Sequence, residues 1–189
     1  RQNAPADVMR GEETQIAGFI ALNPGWDGVI CLPGTHTKWA EISAGEVVSF
    51  QTFMTGEMFA LLGQESVLRH SVGSDGWDAV AFVEAIADAI ARPERLAAQL
   101  FSVRARDLLE GTAPAVARSR LSGMLIGAEL AAARPYWLGQ QIAVIGAAAS
   151  AKPYADALVA QGAPATIADA SRMTLAGLTA AHRALKETV

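Results

Sequence analysis

The sequence contains little cysteine and little positive charge. Its single cysteine, Cys31, excludes an internal disulfide, and its place inside an apolar run predicts a small buried side chain. Lysine and arginine total 15 against 19 acidic residues, and the net charge of −4 argues against a nucleic-acid partner or a membrane surface. A small anionic substrate would therefore need local positive groups, and the lone cysteine fits a reducing, cytoplasmic location.

Long hydrophobic runs, internal repeats and low-complexity tracts are also missing. No run reaches the roughly 18 apolar residues of a membrane span, and residues 1–10 do not resemble a signal peptide. Zinc-ligand spacing and a Ser/His/Asp signature are absent from the sequence as well. Apolar residues are plentiful: 51% of the 189 residues are hydrophobic, which is enough for one domain or slightly more.

The most informative stretch is residues 27–42, DGVICLPGTHTKWAEI. A short apolar run that ends at Leu32 predicts a buried strand, Pro33 and Gly34 interrupt it, and the apolar pattern resumes at Trp39, which together predict a hairpin. Two hydroxyls, an imidazole and an ammonium group lie at its tip, and with backbone N–H groups they can bind an anion. Phosphate is the natural candidate, and a polar turn without a ligand is the alternative.

Hydrophobic periodicity along the rest of the chain predicts an α/β fold. A first helix is expected from Glu12 to Leu22, and a last helix at residues 170–186. The expected strands are residues 28–32, the returning strand of the hairpin up to Ile42, and residues 46–54, 142–145 and 164–167. The first three strands form a meander and the later ones follow parallel crossovers, so a mixed five-stranded sheet is predicted.

A helical insert is expected between the third and fourth strands, at about residues 57–112. Thr55 is predicted to cap its first helix. Three short helices follow, with a break at Ser102 and Val103 between the last two: residues 78–90, 93–101 and 104–109. The longest helical pattern is residues 114–133, and its small residues would let another element approach closely: Ser122, Gly123 and Gly127.

Two local patterns suit chemistry as well as structure. Glu12 and Glu13 open the first helix, where carboxylates complement the helix dipole, and one of them is a candidate general base. Residues 146–150, GAAAS, join a strand to a helix N-terminus, an arrangement that suits either nucleotide binding or tight strand-to-helix packing.

Four motifs occurring in order give a resemblance to a known family: VMRGEETQ at residues 8–15, LPGTHTKW at 32–39, MTGE at 54–57 and LSGMLIGAEL at 121–130. Together they resemble the 2-dehydro-3-deoxygalactonokinases, sugar-acid kinases of the ribonuclease H-like superfold that includes actin, hexokinase and the heat-shock ATPases. The resemblance implies phosphorylation of 2-dehydro-3-deoxy-D-galactonate at its 6-hydroxyl in galactonate catabolism, with ATP and Mg²⁺ as cofactors.

The same resemblance implies roles for individual residues. Glu13 is expected to be the catalytic base, with Glu12 as the second choice, and Arg10 is expected to bind the substrate carboxylate. The ATP phosphates would contact the hairpin tip: Gly34, Thr35, His36, Thr37 and Lys38. Adenosine would contact the turn at residues 146–150, although this turn lacks the usual glycine pair. The residues expected to contact adenosine are Gly146, Ala147, Ala148 and Ser150. The sugar acid would also contact Thr55, Gly56 and Glu57. No residue is assigned as a metal ligand.

The resemblance also predicts how the chain is divided. Residues 1–26 would be the end of an N-terminal lobe with an inter-lobe helix, and residues 27–189 the C-terminal nucleotide-binding lobe. The Asp-x-Gly-(Thr/Ser) hairpin of such kinases does not occur in the sequence, so a fragment of a longer kinase is expected. The alternative is a non-catalytic sugar- or nucleotide-binding regulatory module. The expected partners are ATP and the sugar acid, and neither nucleic acid nor a membrane is expected. A homodimer is an open alternative to a monomer.

Overall fold

The computed structural model describes residues 6–187 of the chain. These residues form two compact units. One, called here the sheet unit, comprises the chain up to Phe53 and again from Pro135, and the other, the helical unit, is Met54–Arg134. Part of the predicted N-terminal lobe end, at residues 1–5, lies outside the described residues.

The five strands and the long helices follow one another in the predicted order, with ends that differ by a few residues, and the short helix Arg134–Trp137 is an addition. The elements are α1 (Glu12–Leu22), β1 (Gly28–Leu32), β2 (Thr37–Ser43), β3 (Glu46–Phe53), α2 (Thr55–Gln64), α3 (Ala79–Ala91), α4 (Leu96–Glu110), α5 (Pro114–Ala132), α6 (Arg134–Trp137), β4 (Ile142–Gly146), α7 (Ala148–Ala160), β5 (Ala165–Asp169) and α8 (Ala170–Glu187). Two 3₁₀ helices, Val67–His70 and Pro93–Arg95, precede α3 and α4 respectively.

The five strands form one mixed sheet in the order β3-β2-β1-β4-β5. β1, β2 and β3 are antiparallel neighbours, whereas β4 is parallel to both β1 and β5, which confirms the predicted meander followed by parallel crossovers. Cys31 in β1 pairs with Trp39 of β2 and with Val144 of β4, and it is fully buried as expected. The neighbouring strands β1 and β4 are buried along their whole length, because both faces of the sheet are covered there. This burial explains the unbroken apolar sequence of the two strands.

Helices α1 and α8 pack against each other, and apolar side chains from both join the core of the sheet. Ile16 and Phe19 of α1 and Met173 of α8 contact the cluster that includes Ile30 of β1. The two helices approach so closely that a Cβ atom at Gly177 would lie 3.0 Å from Cγ2 of Thr14. Glycine at position 177 of α8 therefore permits this close contact.

Glycines serve the same purpose in the helical unit, where α5 packs on α3. A Cβ atom at Gly123 would lie 2.9 Å from Cβ of Ala85, and one at Gly127 would lie 2.9 Å from Cβ of Ala89. The predicted small-residue face of this helix is thus confirmed. None of the described helices is both long enough and apolar enough to cross a membrane.

Two local predictions in the helical unit are wrong. The expected break at Ser102 and Val103 is absent, because α4 is continuous there: Ser102 donates a hydrogen bond from Oγ to the Gln99 carbonyl at 2.6 Å, and Val103 is buried in the core. Thr55 is the first residue of α2 and not its cap. Met54 occupies the cap position without a side-chain hydrogen bond, and Thr55 is itself buried.

Candidate active site

The predicted phosphate-binding hairpin divides into an exposed tip and a buried base. Gly34, Thr35 and His36 lie in the connection between β1 and β2 and are exposed. Thr37 and Lys38 begin β2 and are buried, with 0% and 5% of their surface exposed. A lysine is seldom buried to this degree without a charged partner.

The partner of Lys38 is Glu12, the first residue of α1. The Lys38 Nζ atom lies 3.0 Å from Glu12 Oε1, and it also donates a longer hydrogen bond of 3.4 Å to the His36 carbonyl. The second carboxylate oxygen of Glu12 accepts a hydrogen bond of 2.8 Å from the backbone N–H of Arg10. The beginning of α1 is therefore connected to the base of the hairpin by an ion pair.

This arrangement lowers the pKa of the Glu12 carboxyl. Partial burial raises the pKa, but this effect is outweighed by the hydrogen bond from Lys38, the backbone N–H groups of Glu12 and Arg10, and the positive charge of Lys38. Glu12 is consequently ionised at neutral pH and can accept a hydrogen bond or a proton.

Glu13 faces a different part of the sheet unit. Its Oε2 atom accepts a hydrogen bond of 2.7 Å from the backbone N–H of Gly11. The side chain lines an apolar groove of about 650 Å³ between α1 and β3, which it shares with Ile20, Val48 and Phe50 among others. Of the two adjacent glutamates, Glu12 is the one that the structure brings to the hairpin. The assignment of Glu13 as the base stays a prediction.

Tyr154 is a second residue that contacts the base of the hairpin. Its hydroxyl lies 2.8 Å from the Thr37 hydroxyl, although the two residues are 117 positions apart in the sequence. Tyr154 belongs to α7 and only 6% of its surface is exposed. No sequence pattern pointed to Tyr154, because no local spacing connects it to Thr37.

The predicted adenosine turn lies between β4 and α7. Gly146 is buried at the end of β4, whereas Ala147 and Ala148 are exposed. The hydroxyl of Ser150 donates a hydrogen bond of 3.0 Å back to the Ala147 carbonyl, and no side chain caps the N-terminus of α7. The first turn of α7 therefore presents backbone N–H groups that no capping side chain satisfies.

The model of the 2-keto-3-deoxy-galactonokinase family matches residues 1–181. The chain belongs to this family. Because the match includes α1, the hairpin and α7, every residue discussed above lies within the galactonokinase family's own sequence pattern.

Individual galactonokinase relatives agree with the family match. The chain is 40% identical over 189 residues to a protein of Rhizobium meliloti (strain 1021) assigned as a 2-dehydro-3-deoxygalactonokinase, covering 98% of this chain and 62% of that protein. It is 38% identical over 162 residues to the 2-dehydro-3-deoxygalactonokinase of Escherichia coli (strain K12), covering 85% of this chain and 54% of that protein.

A solved structure is also similar. The crystal structure of a Sinorhizobium meliloti protein assigned as a 2-dehydro-3-deoxygalactonokinase matches 95% of this chain and 61% of its own, with a TM-score of 0.90 and 40% sequence identity. The chain spans between 54% and 62% of the length of these galactonokinase relatives.

The remaining predicted residues are placed as follows. Arg10 is exposed and lies two residues before Glu12. Thr55, Gly56 and Glu57 form the first turn of α2 in the helical unit. The roles of Arg10, Thr55, Gly56 and Glu57 in binding a sugar acid stay predictions. Within residues 6–187, no group of three or more histidine, cysteine, aspartate or glutamate side chains could hold a metal ion.

Proposed function

We propose that the protein transfers the γ-phosphoryl group of ATP to the 6-hydroxyl of 2-dehydro-3-deoxy-D-galactonate. The observation that carries this proposal is the ion pair of 3.0 Å between Glu12 and Lys38 at the base of the hairpin. It brings a buried cation and an ionised carboxylate to one place in a chain of the galactonokinase family. Phosphoryl transfer needs both, one for the phosphates and one for the attacking hydroxyl.

The proposed division of labour follows from position and charge. The exposed tip residues Thr35 and His36 and the ammonium group of Lys38 would contact the phosphates, where positive charge stabilises the transferring group. Glu12, which the resemblance gives as the second choice after Glu13, would accept a hydrogen bond from the attacking hydroxyl and then its proton, because it is the glutamate that meets Lys38. In phosphoryl transfer the base mainly orients the nucleophile, so an ionised carboxylate of lowered pKa is adequate.

Mg²⁺ fits this site only as an ion held jointly with the nucleotide. Magnesium in kinases keeps several waters and is bound through one or two carboxylates plus the substrate phosphates. A site made entirely of protein ligands is not found in the described part of the chain, so the nucleotide phosphates and water would supply most of the ligands. When bound, the ion neutralises charge on the phosphates.

The adenosine and the sugar acid would lie on either side of the phosphates. We assign the adenosine to Gly146, Ala147, Ala148 and Ser150, since Ala147 and Ala148 are exposed at an uncapped helix start. We assign the carboxylate of the sugar acid to Arg10, because a guanidinium group binds a carboxylate through two parallel hydrogen bonds.

We further propose that the sheet unit is a ribonuclease H-like lobe of the actin, hexokinase and heat-shock ATPase superfold. Its strand order, with an antiparallel meander at one edge and parallel crossovers at the other, supports this assignment. In such a lobe, α1 and α8 would be the helices next to the hinge. A cytoplasmic location and a homodimer stay predictions.

The test is a kinase assay on the whole protein that contains this chain. ADP and phosphorylated product are measured with 2-dehydro-3-deoxygalactonate, with its C4 epimer 2-dehydro-3-deoxygluconate, and without a sugar acid. We expect turnover that requires Mg²⁺ and favours the galactonate derivative. Tight binding of ATP and sugar acid without any product would refute the kinase and support the regulatory module instead.

A further inference from the structure

The base of the hairpin is held from both faces of the sheet. Successive residues of a strand point to opposite faces, so Thr37 and Lys38 diverge. Lys38 shares its face with Ala40 and Ile42, which pack against α1, and its ammonium group meets Glu12 there. Thr37 points to the other face, where its hydroxyl meets Tyr154 of α7.

The contact with Tyr154 occurs where the hairpin changes from exposed to buried. Residues 34–36 are exposed, and Thr37 is the next residue and is fully buried. A hydroxyl pair that is buried this completely is costly to leave without a hydrogen bond, so the 2.8 Å contact fixes the distance between the start of β2 and α7. The position of Lys38 along β2 is thereby fixed as well, because it directly follows Thr37.

We propose that Tyr154 is a positioning residue for the nucleotide phosphates. It acts through the Thr37 hydroxyl, which we therefore assign to holding the hairpin and not to contacting the phosphates directly. The proposal rests on the proposed function, in which the hairpin tip and Lys38 bind phosphate. Because α7 also begins at the turn assigned to adenosine, the Tyr154–Thr37 bond would set the spacing between the adenosine and phosphate ends of the site.

Two substitutions that remove one hydroxyl each test this role. Tyr154→Phe keeps the buried ring and Thr37→Val keeps the shape of the side chain. Each should raise KM for ATP by about 3- to 10-fold, as expected for one net hydrogen bond. The KM for the sugar acid should change little. Thr37→Ser retains the hydroxyl and should stay close to wild type.

The double variant Tyr154→Phe with Thr37→Val shows whether the two hydroxyls act as a pair. If they do, the double variant binds ATP about as well as either single variant, because both remove the same bond. Losses that simply multiply would contradict the proposal. Ser119→Ala is the matched control: this fully buried hydroxyl accepts a hydrogen bond from the Asp78 N–H in the helical unit, and its loss should lower stability without changing KM for ATP.

Calorimetric binding of ATP and of adenosine separates positioning from general damage. The substitutions should weaken ATP binding and leave adenosine binding nearly unchanged. Equal losses for both ligands, or a lower melting temperature with unchanged KM for ATP, would overturn the role. Calorimetric binding needs no sugar acid, so the two proposals can fail separately. If the protein shows no turnover but the substitutions still weaken ATP binding selectively, only the kinase proposal fails. If turnover is normal and Tyr154→Phe binds ATP like the wild type, only the positioning role of Tyr154 fails.

Discussion

The sheet unit and the helical unit use the same packing device for different ends. In each, two helices meet through glycines: Gly18 and Gly177 between α1 and α8, and Gly123 and Gly127 between α3 and α5. In the sheet unit the contact lies at Thr14, two residues after Glu12. Close helix packing there positions the carboxylate that meets the hairpin, whereas in the helical unit it joins the two helices that carry Arg120, Glu84 and Asp88.

The buried cations of the two units, Lys38 and Arg120, differ in the length of their ion-pair contacts. In the sheet unit, Lys38 and Thr37 each have a defined partner, and both belong to the hairpin. In the helical unit, buried Arg120 lies 3.7 Å from Glu84 and 3.9 Å from Asp88, and its Nε atom has no hydrogen-bond partner among the described residues. The buried cation of the hairpin thus has a shorter ion-pair contact than the buried cation of the helical unit.

The largest expected effect distinguishes the two glutamates of the sheet unit. Glu12→Gln should lower kcat by about 10²- to 10⁴-fold, the usual range for loss of a general base, with little change in nucleotide affinity. Glu13→Gln should have a much smaller effect, because its side chain faces the groove by β3. Steady-state kinetics of both variants measure this. The opposite ranking would return the catalytic role to Glu13, and two active variants would remove the base altogether.

The next effect concerns the buried cation. Lys38→Met should weaken ATP binding by about 10- to 100-fold, in line with the loss of a hydrogen bond to a charged group. AMP, which lacks the β- and γ-phosphates, should be affected much less. The comparison is a calorimetric titration of both nucleotides, with Lys152→Met as the control, since Lys152 forms an exposed ion pair with Asp156 on α7. Equal losses for ATP and AMP would show that Lys38 does not contact the phosphates.

Alanine at the packing glycines compares the two units directly. Gly177→Ala and Gly123→Ala should each lower the free energy of unfolding by about 1–3 kcal/mol, the usual cost of overpacking. Only Gly177→Ala should also lower kcat, because it would displace the start of α1 and hence Glu12. Denaturant unfolding and kinetics test both claims.

Gly63→Ala is the matched control for those glycines. A Cβ atom there would lie 3.7 Å from Val72 Cγ1, an ordinary contact, and alanine favours a helix interior. Its stability should be unchanged or raised. If Gly123→Ala reduced kcat as much as Gly177→Ala, the functional difference between the two helix pairs would be disproved.

The smallest expected effect is the pH dependence of the Glu12–Lys38 pair. The folded pKa of Glu12 is below its ordinary value of 4.5, so the pair stabilises the fold above that pH and the contribution is lost as the pH falls through the folded pKa. The difference in unfolding free energy between wild type and Glu12→Gln should therefore shrink from pH 7 to below pH 4. A pH-independent difference for Glu12→Gln would contradict the assignment.

Predictions from the sequence succeeded where a single local pattern decides the structure. The short apolar run Gly28–Leu32, which ends at Pro33 and Gly34, predicts a buried strand, and β1 occupies the same five residues. The predicted break at Ser102 and the predicted cap at Thr55 are wrong because the preferences of serine and threonine for helix ends are each worth only about 1 kcal/mol. In the structure, the burial of Val103 and of Thr55 outweighs them.

The sequence by itself determined the mixed sheet, the polar hairpin and the family, since periodicity and ordered motifs depend only on neighbouring residues. Only the tertiary structure decided which glutamate meets Lys38 and that Thr37 meets Tyr154. Adjacent helical residues point about 100° apart, and the rotation of α1 is fixed by the packing of Ile16 and Phe19 on the sheet. The rotation of α1 cannot be predicted from a local sequence pattern, because it is set by contacts between side chains that lie far apart in the chain.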